Sequence, residues 1–151
     1  MTASISDFPV PREGILATHF VVAGDLAATT RFYGEQLGGE VVWSQDGMIS
    51  FVKLANTWVI IALGGRGTPD KPDVTLAPPD DRNRFDAFMN LRVADIDAIH
   101  REWSQRGVEF ITPPLDNQGF EIRCYIRDPD GRIIEVGQHT GMLSVWGLAE
   151  G

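Results

Sequence analysis

One acidic residue near the end of the chain, Glu135, lies in an aliphatic segment that follows a tight turn. Residues 128–131, Asp-Pro-Asp-Gly, predict the turn, because proline fixes φ at one turn position and glycine accepts a conformation that other residues resist. Side chains alternate along a strand, so Glu135 shares a face with Ile133 and not with Ile134 or Val136. A carboxylate buried without a partner costs several kcal/mol. The pattern therefore predicts that Glu135 faces a wet cavity or a cation; the alternative is an edge strand with this carboxylate in solvent.

The elements that would position Glu135 occur twice along the chain. Asp25 and Asp95 each stand where a helix N-cap belongs, and glycines at 38 and 107 end the two predicted helices after 13 and 12 residues. The predicted strands of the first half cover residues 15–23, 40–44, 48–54 and 57–63, and those of the second half cover 87–93, 108–112, 121–127 and 132–137. An internal repeat of this kind predicts two β-α-β-β-β units.

The segment between the two units is rich in proline, glycine and aspartate, so it is predicted to be a partly extended connector. We expect a single domain over residues 1–151, with modules at about 15–64 and 86–139 and the connector at 65–85. A chain of this length buries about 68–70% of its unfolded surface on folding, which is enough for a core without covalent links.

Composition excludes several classes of function. The formal net charge of −8 disfavours nucleic acid as a partner, because phosphate binding requires a positive field. No apolar run of about 18 residues occurs, and residues 1–14 lack the pattern of a signal peptide, so we expect neither a membrane span nor secretion. The single cysteine, Cys124, fits a reducing compartment. The sequence predicts a cytoplasmic globular protein.

The paired units resemble the vicinal-oxygen-chelate superfamily, which includes glyoxalase I, bleomycin-resistance proteins, fosfomycin-resistance enzymes and extradiol dioxygenases. The resemblance covers residues 15–139 and is carried by Asp25-Leu26, Arg31-Phe32-Tyr33, Leu37-Gly38, Arg127-Asp128-Pro129-Asp130-Gly131 and Ile134-Glu135. It implies an α+β fold in which two tandem βαβββ modules form a cupped mixed sheet around the ligand. In the metal-using members, a divalent ion in the cup polarises a bidentate oxygen substrate.

Matched residue by residue to the family's metal positions, this chain keeps one ligand. Glu135 matches the glutamate of the last strand, whereas Ala62, Phe88 and Thr18 stand at the other three positions. His19 is one residue away from the first-strand position, which turns it to the opposite face unless a bulge intervenes. The resemblance thus implies at most Glu135 and His19 as ligands of Zn, Ni, Fe or Mn. Such an ion prefers three or more protein donors.

Strand alternation extends the candidate site beyond Glu135. Phe88, Asn90 and Arg92 share one face of their strand, and the apolar residues between them should pack on a helix. Arg123 and Tyr125 alternate in the same way, and Phe20 shares the face of the first-strand ligand position. The candidate ligand-binding residues are Phe20, Phe88, Asn90, Arg92, Arg123 and Tyr125. Arginine beside aromatic rings suits a planar ligand or one that carries a carboxylate.

Each candidate also has a purely structural interpretation. Arg92 and Glu135 could pair with one another across the sheet, since buried charges usually have partners. Arg123 could lie on a solvated edge beside Glu121, and the aromatic residues could belong to the core. His19 could be an ordinary packed strand residue.

Two classes of function are consistent with these residues. The first is a binding protein that encloses a small aromatic or hydrophobic metabolite or drug without the full family metal site. The second is an enzyme: a metal-dependent lyase or dioxygenase of the glyoxalase type, or a metal-free enzyme with Glu135 as general base. Ala62 and Phe88 favour the first class, and Glu135 favours the second. The open edges of such sheets also predict a homodimer.

Overall fold

The computed structural model describes residues 16–119 and 121–138, so residues 1–14, Ile15 and the predicted end of the second module at residue 139 lie outside the described residues. The chain divides into two compact units, one up to Asp80 and one from Asp81. Within the described ranges, no helix is long and apolar enough to cross a lipid bilayer.

The first unit has the β-α-β-β-β order that the sequence predicts. Its strands are β1 (His19–Ala23), β2 (Glu40–Gln45), β3 (Ile49–Leu54) and β4 (Thr57–Leu63); its helix α1 (Leu26–Arg31) continues into a π-helical segment (Phe32–Gln36). The strands form one mixed sheet in the order β1-β4-β3-β2, with β1 and β4 parallel and the other pairs antiparallel. The helix lies in the crossover that follows β1, as parallel pairing requires.

Capping fixes where α1 begins. The Asp25 carboxylate accepts a hydrogen bond from the backbone N–H of Ala28 at 3.0 Å, as an N-cap does. Both predicted helix stops, Gly38 and Gly107, have positive φ (80° and 84°), a region that glycine enters without steric cost. The caps were therefore predicted correctly, whereas the switch to a π-helical segment at Phe32 was not.

The sheet of the first unit has one helix-facing side and one half-exposed side. The hydroxyls of Ser50 in β3 and Thr30 in α1 lie 2.5 Å apart, which identifies the side that packs against the helix. Valines and isoleucines of β1, β3 and β4 on this side are buried: Val21, Val52, Val59 and Ile61. The other side carries one cross-strand row of large apolar residues: Phe20, Ile60, Phe51 and Trp43.

The second unit repeats this arrangement with one additional short strand. Its elements are β5 (Met89–Arg92), α2 (Ile96–Gln105), β6 (Glu109–Phe110), β7 (Leu115–Asn117), β8 (Glu121–Arg127) and β9 (Ile133–Gln138). The sheet order is β5-β9-β8-β6, with β7 paired to β8, and β5 runs parallel to β9. The predicted α+β fold built from tandem βαβββ units is confirmed.

The two faces of the second sheet differ in polarity. Alternate residues of β8 and β9 are buried on the apolar face: Cys124, Ile126, Ile134 and Val136. The opposite face carries the cross-strand row Asn90–Glu135–Tyr125 and, next to it, the row Arg92–Gly137–Arg123. The alternation predicted for all three strands is confirmed.

The connector contains hydrogen-bonded turns, whereas the sequence predicts a partly extended segment. Gly65 and Leu76 exchange both backbone hydrogen bonds at 2.9 Å, and Thr68 and Lys71 form a second antiparallel bridge. The segment therefore folds back on itself within the first unit. Prolines exclude a helix in this segment, but they do not exclude a reverse turn closed by backbone hydrogen bonds.

Substitution of the N-cap of α2 tests how much this hydrogen bond stabilises the second unit. The Asp95 carboxylate accepts from the N–H of Ala98 at 2.9 Å. Asp95→Ala should lower the free energy of unfolding by about 1 kcal/mol, whereas Asp95→Asn, which keeps an acceptor oxygen, should lower it by only a few tenths. Urea denaturation of the three proteins measures this difference, and equal midpoints for the Ala and Asn variants would refute the capping role.

Candidate functional site

Glu135 lies at the centre of the polar face of the second unit, where its carboxylate is almost fully buried. Its Oε1 accepts a hydrogen bond from Asn90 Nδ2 at 2.9 Å and an ion-paired one from Arg92 Nη2 at 3.3 Å. Its Oε2 accepts from the Tyr125 hydroxyl at 2.8 Å. Asn90 and Tyr125 are the cross-strand partners of Glu135 on β5 and β8, so the sheet register itself brings these groups together.

Arg92 links Glu135 to a second carboxylate. Its Nη1 is hydrogen-bonded to Glu121 Oε2, and the Glu121 side chain is only 11% exposed. Glu121 also accepts from Arg123 Nη1 at 3.3 Å. One guanidinium thus bridges two carboxylates from different strands, and the pairing of Arg92 with Glu135, which the sequence leaves open as an alternative to a ligand role, occurs in the structure. The cation that Glu135 faces is a side chain of its own unit.

Gly137 leaves the space in which the Arg92 guanidinium lies. Gly137 is the cross-strand partner of both Arg92 and Arg123. A Cβ atom at this position would overlap Arg92 Nη1 and would lie 3.1 Å from Arg92 Cζ and 3.3 Å from Glu121 Oε2. The absence of a side chain in the middle of this row therefore allows the guanidinium to reach both acids.

An aromatic pair and a second arginine border the charged cluster. The rings of Phe88 and Tyr125 meet edge to face with centroids 5.8 Å apart, and Phe88 is 44% exposed. The Arg123 guanidinium carbon lies 6.0 Å from the centroid of the Tyr125 ring, at the outer limit of a cation–π contact. The Arg123 side chain is 38% exposed, compared with 22% for Arg92. The polar face thus presents an aromatic surface and a guanidinium to solvent.

The pKa values of two groups reflect this arrangement. Burial, the hydrogen bond to Glu135 and its negative charge raise the pKa of Tyr125, which therefore remains a neutral hydrogen-bond donor. Burial also raises the pKa of Glu121, but the hydrogen bond and charge of Arg92, with hydrogen bonds from Asn117 and Arg123, outweigh burial and lower it overall. Glu121 is therefore held as an anion between two guanidinium groups.

The Asp-Pro-Asp-Gly turn holds the start of β9 in place. The buried Asp128 carboxylate accepts from the backbone N–H groups of Asp130 and Arg132 and, through its second oxygen, from Arg132 Nη1 at 3.0 Å. Backbone hydrogen bonds from Asp128 to Arg132 and from Gly131 to Asp128 close the turn. The motif therefore sets the register with which Glu135 enters the sheet.

The predicted residues of the first unit lie on opposite sides of β1. Phe20 is 48% exposed on the aromatic side, in the same cross-strand row as the stacked rings of Trp43 and Phe51, whose centroids lie 5.3 Å apart. His19 lies on the helix-facing side with Val21, and the register of β1 against β4 runs from His19 to Ala23 without a shift. The bulge that would turn His19 to the other side does not occur in this strand.

The metal ion that the family resemblance implies does not fit the residues present. Glu135 already accepts from three donors, and one of them is a guanidinium, which repels a divalent cation. Among residues 16–119 and 121–138, no three His, Cys, Asp or Glu side chains come together in a way that could hold an ion. The groups around Glu135 therefore do not form a site that suits a divalent ion.

Two members of the charged cluster were missed by sequence reasoning as site residues. Glu121 is not among the predicted site residues, although the alternation of β8 places it on the same face as Arg123 and Tyr125. Gly137 gave no signal, because the need for empty space opposite Arg92 depends on the register between β5 and β9.

A separate cavity of about 520 Å³ lies in the first unit beside α1 and the β2–β3 turn, and no predicted site residue lines it.

The chain is similar to known proteins in both sequence and fold. A sequence profile of the Glyoxalase/Bleomycin resistance protein/Dioxygenase superfamily matches residues 15–136. A comparison with curated protein sequences gives no significant match.

Solved structures that resemble the chain include a glyoxalase/bleomycin resistance protein/dioxygenase from Nocardioides, with 22% identity, a TM-score of 0.68 and coverage of 91% of this chain and 90% of that one. Lactoylglutathione lyase from Agrobacterium tumefaciens has 20% identity and a TM-score of 0.66, with 91% and 99% covered. TnmS3, an antibiotic binding protein from Streptomyces sp. CB03234, has 22% identity and a TM-score of 0.58, with 85% and 99% covered. At these identities, the likeness shows a shared fold.

Titration of Tyr125 tests its hydrogen bond to Glu135. With tyrosine labelled at the ring carbon that bears oxygen, NMR should show Tyr125 losing its proton above pH 10.0, the ordinary value. Glu135→Gln should lower the pKa of Tyr125 without fully restoring that value, because burial remains. Exposed Glu109→Gln is the control and should leave it unchanged.

The same titration carries a consequence for stability. Because the pKa of Tyr125 is higher in the folded state, its contribution to stability is present below pH 10.0 and is lost as the pH rises through the raised value. An unchanged Tyr125 pKa in Glu135→Gln would contradict the hydrogen bond.

Substitution of Gly137 tests the space reserved for Arg92. Gly137→Ala should displace the guanidinium from the two carboxylates and lower the free energy of unfolding by about 1–3 kcal/mol, as overpacking does. Gly65→Ala is the matched control, because a Cβ atom there meets no atom within 4 Å and should be tolerated. Chemical denaturation measures both variants, and equal stabilities would show that Arg92 does not occupy this space.

Proposed function

The chain belongs to the glyoxalase/bleomycin resistance protein/dioxygenase superfamily, and we propose that it binds a small planar organic molecule bearing a carboxylate on the polar face of its second unit. The superfamily fold is shared by a protein described as antibiotic-binding and by a lyase. The shared fold therefore does not decide between binding and catalysis. The choice between the two rests on the groups around Glu135. The proposal rests on one observation: the buried acids of this face are neutralised, whereas an aromatic ring and a guanidinium are exposed.

The charged cluster on the polar face has equal numbers of positive and negative groups, but these groups differ in their exposure to solvent. Two guanidinium groups and two carboxylates form the cluster, and the arginine that reaches furthest into solvent is Arg123. Within the described part of the chain, Arg123 makes one hydrogen bond, from Nη1 to Glu121, so its Nη2 and Nε remain available as donors. A ligand carboxylate approaching this face would meet positive charge first, and a guanidinium binds a carboxylate through two parallel hydrogen bonds.

Phe88 supplies the apolar contact that a planar ligand needs. Its exposed ring is held edge-on against Tyr125, so the ring is positioned before a ligand arrives. Large rigid aromatic groups give contact area with little loss of conformational entropy. Phe88 and Arg123 border Tyr125, so an aromatic carboxylate could use both.

The hydrogen bonds of Glu135 disfavour catalysis by this residue. A general base needs an oxygen that can approach a substrate proton, and both oxygens of Glu135 already accept hydrogen bonds from the protein. The phenol of Tyr125, with its raised pKa, is a poor proton donor to substrate at neutral pH. We therefore assign Glu135 to positioning Asn90, Arg92 and Tyr125.

Further parts of the proposal concern the first unit and the assembly. We propose that Phe20 and its cross-strand row offer apolar contacts to a ligand of the first unit. We also propose a homodimer, because β1 and β2 end the sheet of the first unit and sheet edges pair readily with another chain.

A cytoplasmic location is supported by the single, reduced and buried cysteine, whose pKa burial raises to about 11.

Calorimetric titration with 2-naphthoate and its neutral counterpart 2-naphthamide tests the proposed ligand class. We expect the carboxylate to bind more tightly than the amide. Arg123→Ala should weaken 2-naphthoate by roughly tenfold or more, because the charge-assisted hydrogen bonds to the carboxylate are lost, and should leave 2-naphthamide nearly unchanged. Phe88→Ala should weaken both compounds.

Arg106→Ala is the matched control, because Arg106 pairs with Glu102 on α2, away from the polar face. Equal affinities for the two compounds, or equal losses in Arg123→Ala and Arg106→Ala, would refute the proposal. Amide chemical-shift changes should fall in β5, β8 and β9 if the ligand binds where we propose.

A further inference from the structure

Two acidic side chains on the polar face are brought together by contacts with the same guanidinium, that of Arg92. Glu121 in β8 and Glu135 in β9 have side chains that are 11% and 7% exposed. Carboxylates that are largely shielded from solvent are stabilised by a neighbouring cation. Arg92, from β5, contacts both of them through different nitrogens of one guanidinium.

The oxygen atoms around Arg92 form a donor set of a kind that metal ions use. Carboxylate oxygens of Glu121 and Glu135 face the guanidinium, whereas Asn90 contacts Glu135 through its amide nitrogen. Carboxylate oxygens are ligands that hard cations such as Mn²⁺ prefer. With Arg92 in place, a divalent ion would meet a fixed positive charge between the two carboxylates.

We propose that the Arg92 guanidinium is a permanent internal cation that holds Glu121 and Glu135 and thereby excludes divalent metal ions from this face. A guanidinium remains charged at every pH at which proteins are stable, so it is not released as the pH or the metal supply changes. Gly137 is part of the same arrangement, since a side chain there would push the guanidinium out of position.

This inference concerns metal exclusion and does not depend on the proposed ligand. Glu135 needs no metal ion for charge compensation, because a side-chain cation of its own unit already contacts it.

Titration with Mn²⁺, followed by the electron paramagnetic resonance signal of the free ion, tests the proposal. The wild-type protein should bind no stoichiometric Mn²⁺. Arg92→Ala and the better-packed Arg92→Gln should each bind Mn²⁺ at least about tenfold more tightly than the wild type does, because both carboxylates become available and water can supply the remaining ligands. Glu135→Gln added to Arg92→Gln should abolish that binding.

Arg123→Ala and Arg92→Lys serve as matched controls. The first removes an arginine from the same cluster but leaves Arg92 between the acids, and the second keeps a positive charge, so neither should gain Mn²⁺. If Arg92→Ala does not fold, the midpoint of thermal unfolding of Arg92→Gln should still rise with added Mn²⁺.

The proposal is overturned if the wild type binds one ion per chain in a manner that Glu135→Gln abolishes. It is equally overturned if neither Arg92 variant binds Mn²⁺ more tightly than the wild type does. The naphthoate titration is independent of both outcomes, so failure of metal exclusion and failure of the proposed ligand class are distinguishable.

Discussion

Charge compensation inside the second sheet is the constraint on which the polar face depends. Glu135 is buried and the side chain of Glu121 is only 11% exposed, and removing one partner of a buried ion pair such as Arg92–Glu135 costs about 3–5 kcal/mol. Arg92 satisfies both acids at once, and Asn90 and Tyr125 complete the hydrogen bonds of Glu135. The hydrogen bond to Glu135 orients Tyr125, which in turn contacts Phe88 and Arg123. These contacts therefore depend on a cluster whose charges and hydrogen bonds are satisfied by its own side chains.

The sheet register converts a sequence pattern into this cluster. Parallel pairing of β5 with β9 places Asn90 opposite Glu135 and Arg92 opposite Gly137, and antiparallel pairing of β8 with β9 adds Tyr125 and Arg123 to the same two rows. A shift of one residue in either pairing would send these side chains to the apolar face. The Asp128 turn, which fixes the start of β9, therefore acts on the chemistry of the site without contacting a ligand.

The parts of this structure that were predictable from the sequence are those decided locally. N-caps at Asp25 and Asp95 and the limits of β4 and β8 follow from side-chain chemistry and alternation within a few residues. The face on which Arg92, Tyr125 and Glu135 lie was predictable for the same reason. The π-helical segment at Phe32 and the three-residue strand β7 depend on packing between elements, and no local signal marks them.

The site was harder to predict than the fold, because the role of each site residue depends on its contacts with the other site residues. Sequence comparison by position made Glu135 a possible metal ligand, and only the contacts show that Arg92 compensates its charge. Glu121 and Gly137 acquire a role only once Arg92 is placed between them. The residue type alone does not show that a residue fills space or leaves space for a neighbouring side chain.

The most direct test of the central claim is an NMR observation of the Arg92 guanidinium in the ligand-free, metal-free protein. Our account predicts separate, slowly exchanging Nη proton signals for Arg92, with through-hydrogen-bond correlations to the carboxyl carbons of both Glu121 and Glu135. Averaged, rapidly exchanging Nη signals like those expected of a solvent-exposed arginine, or correlations to neither glutamate, would contradict it.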